Sequence, residues 1–447
     1  MKIRGLLIAA LLLAGLSGLV YWSNKTEEAN KDKPDPNAPP KIIDVKQDSV
    51  TGIEISKPGA KTLVLKKGDD GKWKLTAPEP LSADQSAVTS LLSTIAKLDS
   101  NRLIEEKATN LSDFGLDAPK LEVVVHRKDG GDLKLLVGDE TPTKTNYFAK
   151  LDKDPRVFTM AGWNKTSIDK SPWDLRDKRL LTFDSDKLSR VELTAKGQSV
   201  EIGKNNQNEW QIVKPRPLRA DGGNVEQLIS RLKDAKMDTE PSAKELKQAA
   251  ATFARAKKVA VVKVTDAAGT QQLEVRKAKS GNYYAKSSVV DGVYKVSSTV
   301  GEGLDKGLND LRNKKLFDFG WNTPNKIEVR DGDKTATYVK SGTDWLRDGK
   351  KMDSATVRTF IDELRNLTST AFPDKGFTKP IFEVTVVSND GKRTEKVFIS
   401  KNGSDYFAKR ENEPSLYQLK PVDVDSLQQA ARDIKEPAKK KDEKSKS

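Results

Sequence analysis

His126 is the only histidine in the chain, and there is no cysteine. Any serine–histidine–aspartate mechanism would have to run through that one ring, and no Gly-x-Ser-x-Gly elbow accompanies it. A lone imidazole without cysteines or clustered carboxylates is also a poor metal site. His126 is therefore expected to be an ordinary residue at a strand end. A second pattern, Ser167-Ile168-Asp169-Lys170, fits Ser-x-x-Lys, where a lysine one helical turn on can activate a serine. Its companion Ser-Asp-Asn and Lys-Thr-Gly elements are missing, and so short a pattern arises easily by chance. There is no phosphate loop, dinucleotide fingerprint or calcium loop, and Asp69-Asp70-Gly71 reads as a hairpin turn. No catalytic, cofactor-binding or metal-ligating residue is assigned, no cofactor is expected, and the chain is expected not to be an enzyme.

The residue types that recur suit binding better than catalysis. Asp174-Leu175-Arg176-Asp177-Lys178-Arg179-Leu180 returns as Asp310-Leu311-Arg312-Asn313-Lys314-Lys315-Leu316. In these, Asp174, Arg176, Lys178, Asp310, Arg312 and Lys314 are candidate contacts, either with a partner or across the junction between neighbouring modules. A further motif occurs three times, as Tyr147-Phe148-Ala149-Lys150, Tyr283-Tyr284-Ala285-Lys286 and Tyr406-Phe407-Ala408-Lys409. Alternation on a strand would bury the aromatic and expose the lysine, which makes Lys150, Lys286 and Lys409 candidate contacts for an anionic polymer.

The elements that must carry these residues also recur. Trp73, Trp210 and Trp345, each expected in a core, precede an aspartate that opens a helical pattern. Asp84 leads Val88, Leu91, Leu92 and Ile95; Asp221 leads Val225, Leu228, Ile229 and Leu232; Asp353 leads Val357, Phe360, Ile361 and Leu364. That spacing paints one apolar helix face, and an aspartate before it can accept the free N–H groups of the first turn. β-Branched or alternating runs follow at 121–126, 259–264 and 382–387, each with a turn and a returning strand. The expected fold is α+β: three tandem two-layer modules, each an antiparallel sheet with one main amphipathic helix. Repeats 41–183 and 184–319 keep the charged closing motif, whereas 320–432 is divergent and capping, with only Val424, Asp425 and Leu427 near that place.

The 447-residue chain carries 79 basic and 65 acidic residues, a net charge of +14. Such an excess suits an anionic neighbourhood, and the amino terminus shapes which one. Lys2 and Arg4 precede an apolar run opening at Leu6 and closing on Trp22. A helix of that length, about 26 Å, can cross a slightly thinned bilayer. Positive residues before it and Glu27 and Glu28 after it place the bulk of the chain outside the cytoplasm. Gly15-Leu16-Ser17 would suit cleavage, but the run continues through Leu19 and Val20, which favours retention. Residues 1–24 are thus expected as an inner-membrane anchor, 25–40 as a flexible stalk rich in proline, lysine and glutamate, and 433–447 as a disordered lysine-rich tail. Nucleic acid is not an expected partner.

The Trp…Pro…Ala-Asp helix opening, Phe114-Gly115-Leu116-Asp117-Ala118-Pro119, the Tyr-Phe-Ala-Lys strand and the Asp-Leu-Arg-Asp-Lys end together resemble a bacterial domain-of-unknown-function family, number four-three-four-zero. The resemblance is good over 42–183, fair to Phe319 and weak beyond. It implies one amino-terminal membrane helix and a place beside ABC-type transport components related to gliding motility, and it implies no catalytic residues. The expected function is that of a non-enzymatic, membrane-anchored envelope protein in the periplasmic space, a scaffold or accessory subunit of such a complex. The alternative is a binding module for an anionic envelope polymer, peptidoglycan or lipopolysaccharide.

Overall fold

The structure is a computed structural model that describes residues 40–438 apart from Asp129. The expected membrane helix, most of the stalk and the end of the tail lie outside the described residues. Among the described residues no helix is long and apolar enough to cross a membrane.

The described chain is mostly antiparallel sheet with a few helices, consistent with an α+β fold. Three large sheets share one strand order, and the second shows it most simply. Arg190–Ala195, Gln198–Lys204, Trp210–Lys214 and the two-residue Leu218–Arg219 form a meander. An opening helix, Gly222–Lys233, then carries the chain back over one face. Lys257–Asp266, Gly269–Lys277, Tyr283–Ser287 and Val293–Val296 form a second meander. The first strand of each meander pairs with the other at the centre, Val191 opposite Val264 and Leu193 opposite Val262. The spatial order is therefore fourth, third, second, first, fifth, sixth, seventh, eighth. The first sheet adds an edge strand, Arg102–Glu105, beside Val157–Ala161. Four strands of each large sheet precede its opening helix, the last too short to carry a period-two signal.

The helix openings form for the expected reason. Asp84 accepts the N–H groups of Ser86 and Ala87 at 3.0 and 3.1 Å, Asp221 that of Asn224 at 2.9 Å, and Asp353 those of Ala355 and Thr356 at 2.9 and 3.1 Å. The apolar faces of Gln85–Ala96, Gly222–Lys233 and Ser354–Asn366 are buried over their sheets. Each buried leucine, valine or isoleucine there contributes roughly 1.5–3 kcal/mol.

One main helix per sheet is too few. A helix also closes each copy, Gly162–Ile168, Ser298–Leu304 and Pro421–Arg432, and in the third copy Val424 and Leu427 bury its inner face. The second copy holds another long helix, Ala243–Arg255, opened by a Ser242/Glu245 capping box. It belongs to a connector that covers the opposite face of the sheet, where Phe253 is buried and the Arg276 guanidinium stacks 4.5 Å from its ring. In the first copy the connector is a loop whose Phe114 and Leu116 pack on Leu136, Val157 and Phe148. Gly138 lets that loop approach, since a Cβ there would stand 2.1 Å from the Phe114 carbonyl oxygen.

Contacts divide the chain between Lys178 and Arg179 into two compact units. The first holds one large sheet, and the second holds two, joined as described next. Residues 433–436, expected as the start of a disordered tail, are docked. The Asp353 N–H donates to the Lys435 carbonyl at 2.8 Å, and Lys350 pairs with Glu436 at 3.0 Å.

Candidate functional site: the closing strap and its junction

The recurrent charged motif closes each of the first two copies on itself. In the first unit, Ser171 and Asp174 cap the short helix Pro172–Leu175 reciprocally. The Asp174 carboxylate accepts from the Ser171 N–H and hydroxyl, both at 2.8 Å. Partial burial opposes its charge, but those bonds outweigh it and hold its pKa below the ordinary value. Leu175 accepts the Asp84 N–H at 2.8 Å, and the Asp177 N–H reaches Ser82 at 2.8 Å. Arg176 and Lys178 both lie over the Trp173 ring, at 5.6 and 5.2 Å from its centre. In the second unit, the Leu180 N–H donates to Ala235 at 2.8 Å.

Within the second unit the same device joins two sheets. Asp310 accepts the Gly307 N–H at 2.8 Å and the Lys196 ammonium at 3.0 Å. Led by the Gly307 bond, these hold its pKa below the ordinary value. The Asp221 N–H donates to Leu311 at 2.8 Å, and the Asn313 N–H to Arg219 at 3.0 Å. The strap then turns to the third sheet: the Ser369 N–H donates to Lys314 at 2.8 Å and the Leu316 N–H to Leu367 at 3.1 Å. Arg312, 6% exposed, reaches the same sheet with its side chain. It donates to the Ser415 hydroxyl at 3.0 Å and stacks 3.5 Å from the Phe372 ring centre. Lys314 is exposed and works through its carbonyl.

Beside the strap, three arginines alternate with three carboxylates. Arg219 meets Asp318 at 3.0 Å and Glu413 at 2.7 Å, and donates to Tyr417 at 3.1 Å. Arg410 shares Glu413 at 2.7 Å and takes Glu395 at 3.2 Å. Arg393 approaches Glu395 at 3.5 Å and Asp318 at 3.8 Å. Burial works against the Arg219 charge, yet Tyr417, Glu413 and Asp318 together keep its pKa raised. Alternation is what makes a buried set tolerable, because each carboxylate is shared by two cations and none is left alone. None of this network was singled out from the sequence. Its members come from 219, 318, 393–395 and 410–417, too scattered for any local pattern.

The other expected residues have local roles. Both ring nitrogens of His126 face carboxylates, Glu54 at 3.1 Å and Asp132 at 3.0 Å, which leaves neither aimed at a serine. Lys170 donates to the Thr166 carbonyl at 3.2 Å rather than engaging Ser167. Lys286 and Lys409 are exposed. Lys150 departs from the expected row: it is 6% exposed, and its ammonium donates to the carbonyls of Leu151 and Asp152 at 2.9 and 3.2 Å. It lies on the sheet face that the connector covers.

A family model described as "Domain of unknown function (DUF4340)" matches residues 73–209 and again 210–378. The chain belongs to this family. Both DUF4340 matches begin at a third-strand tryptophan, Trp73 or Trp210, and each therefore runs through one strap. No curated protein and no solved structure matches the chain.

Proposed function

We propose that this DUF4340 protein is a non-enzymatic, membrane-anchored envelope protein, a scaffold or accessory subunit of an ABC-type transport or gliding-motility-related complex. The observation that carries the reading is the use made of the strongest repeated motif. Arg312 and the strap backbone are spent on joining the second sheet to the third, while Asp310 closes the strap on the second sheet. Such a chain is built to hold surfaces in a set relation, which is what an accessory subunit contributes. The apolar run from Leu6 to Trp22 supports membrane attachment, and the family resemblance supports the transporter association.

The polymer-binding alternative would rest on Lys286 and Lys409, without the third lysine that Lys150 was expected to supply. Cross-linking in intact membranes, followed by mass spectrometry of the adducts, tests the leading reading. Transporter subunits among the adducts support it; adducts drawn only from unrelated abundant proteins would sink it.

A further inference from the structure

In two of the three sheets the third-strand tryptophan is sealed: Trp73 is 6% and Trp345 5% exposed. Trp210, at the same place in the second sheet, is only partly buried and walls an open cleft of about 890 Å³ between the second and third sheets. The first and second sheets also differ at the helix opening. In the first sheet the Gln85 side chain clamps the tryptophan's backbone, accepting the Trp73 N–H and donating to its carbonyl, both at 2.9 Å. Gly222 stands at the matching position after Asp221 and has nothing within 4 Å of where a Cβ would be. The indole N–H is instead anchored on Glu226 at 2.6 Å, which fixes the ring at the cleft wall.

The neighbouring hairpin loop differs in the same direction. It reads Lys204-Asn205-Asn206-Gln207-Asn208-Glu209, where the first sheet has Asp69-Asp70-Gly71. Asn208 lines the cleft together with Gln211 and, from the facing side, Asn412. Among the described residues, no partner claims the side-chain amides of these three. The charges are balanced: Lys204, Arg216, Arg219 and Arg393 face the cleft, and so do Glu209, Glu226, Asp318 and Glu413. A polyanion entering would meet as many carboxylates as cations. The arginine–carboxylate network at one wall is balanced in charge and offers no surplus.

We propose that this cleft binds a short neutral saccharide. Its volume lies within the roughly 300–1,000 Å³ of small-ligand sites. The Lys204 ammonium lies over the Trp210 ring, 5.0 Å from its centre, and the indole face it leaves gives the C–H face of a sugar ring an apolar, polarisable platform. Free amides donate and accept at once, which is what a hydroxyl needs, and the balanced lining excludes no uncharged guest. The site goes beyond the scaffold reading and stands without it.

The test is retention of the tagged full-length chain, in a detergent without a sugar headgroup, on a panel of immobilised neutral and anionic glycans. Wild type should be held by at least one neutral glycan, with little change between low and moderate salt. Trp210→Ala should weaken retention at least tenfold, while Trp163→Ala, a change at an exposed tryptophan elsewhere, should not. Gly222→Gln separates binding from folding, because it restores the clamp of the first sheet and narrows the cleft. That variant should lose retention with an unfolding midpoint no lower than wild type. No neutral glycan retained, equal retention by Trp210→Ala and Gly222→Gln, or retention confined to anionic glycans and abolished by salt would each overturn the proposal.

Discussion

Arg312 is buried at a sheet junction, with Ser415 and Phe372 as its partners across it, so its removal should be felt mainly there. Truncation to alanine loses a desolvated cation–π contact and a charge-assisted hydrogen bond, about 2–3 kcal/mol together. Denaturant unfolding of the full chain should show that loss, and Arg312→Lys should recover little of it, because the planar fork that spans ring and hydroxyl is gone. Asp310 supplies a pH signature. Its pKa is lowered in the folded chain, so its stabilisation is complete above the ordinary carboxylate range and is lost as pH falls through the lowered value. Asp310→Asn should therefore flatten the acid side of the unfolding-midpoint profile relative to wild type. An unchanged acid slope would show that other carboxylates dominate. At this scale the sequence was only half legible. The recurrence of Asp-Leu-Arg marked a contact motif, but whether its arginine met a partner or a neighbouring sheet depended on Phe372 and Ser415, which lie far off in the chain. Lys150 misled because strand alternation says which face a side chain takes, not whether a connector later covers that face.

At the scale of elements, the caps and connectors make separate claims. Asp353→Ala removes the carboxylate oxygen that accepts two N–H groups of the third opening helix and should cost about 1 kcal/mol, read as a lower unfolding midpoint. The backbone bond from residue 353 to Lys435 survives that change, so the closing segment should remain docked. Gly138→Ala should force the Phe114 loop off the first sheet, with overpacking costing about 1–3 kcal/mol. Earlier proteolytic cleavage within 106–118 would report it; unchanged cleavage would mean the loop can move aside. The opening helices were legible because an aspartate cap and a 3.6-residue apolar period coincide. The helix Ala243–Arg255 could have been found from Ser242-x-x-Glu245, but its apolar face is mostly alanine, with Phe253 its one buried residue. Leu218–Arg219 and Lys350–Lys351 are too short to show any period. The central pairing of first and fifth strands is non-local, and no spacing announces it.

Across the whole molecule, the same double meander is used three times with different finishing. The first copy adds an edge strand, the second a covering helix and the open cleft, and the third ends the series by docking its own closing segment at Asp353. The expected order of sheets and helices came from recurrence along the chain, whereas the cleft beside Trp210 arises from segments around 204–226, 313–318 and 393–415 that no motif links. As a scaffold, this series is a support whose joint between the second and third sheets is built from its most repeated residues. The most direct measurement is a mild-detergent affinity purification of the tagged full-length chain, with co-purifying proteins identified and quantified by mass spectrometry. ABC-type transporter subunits should come down in a fixed proportion to the bait. Bait recovered from membranes alone, or with envelope polymer and no transporter subunit, would contradict it.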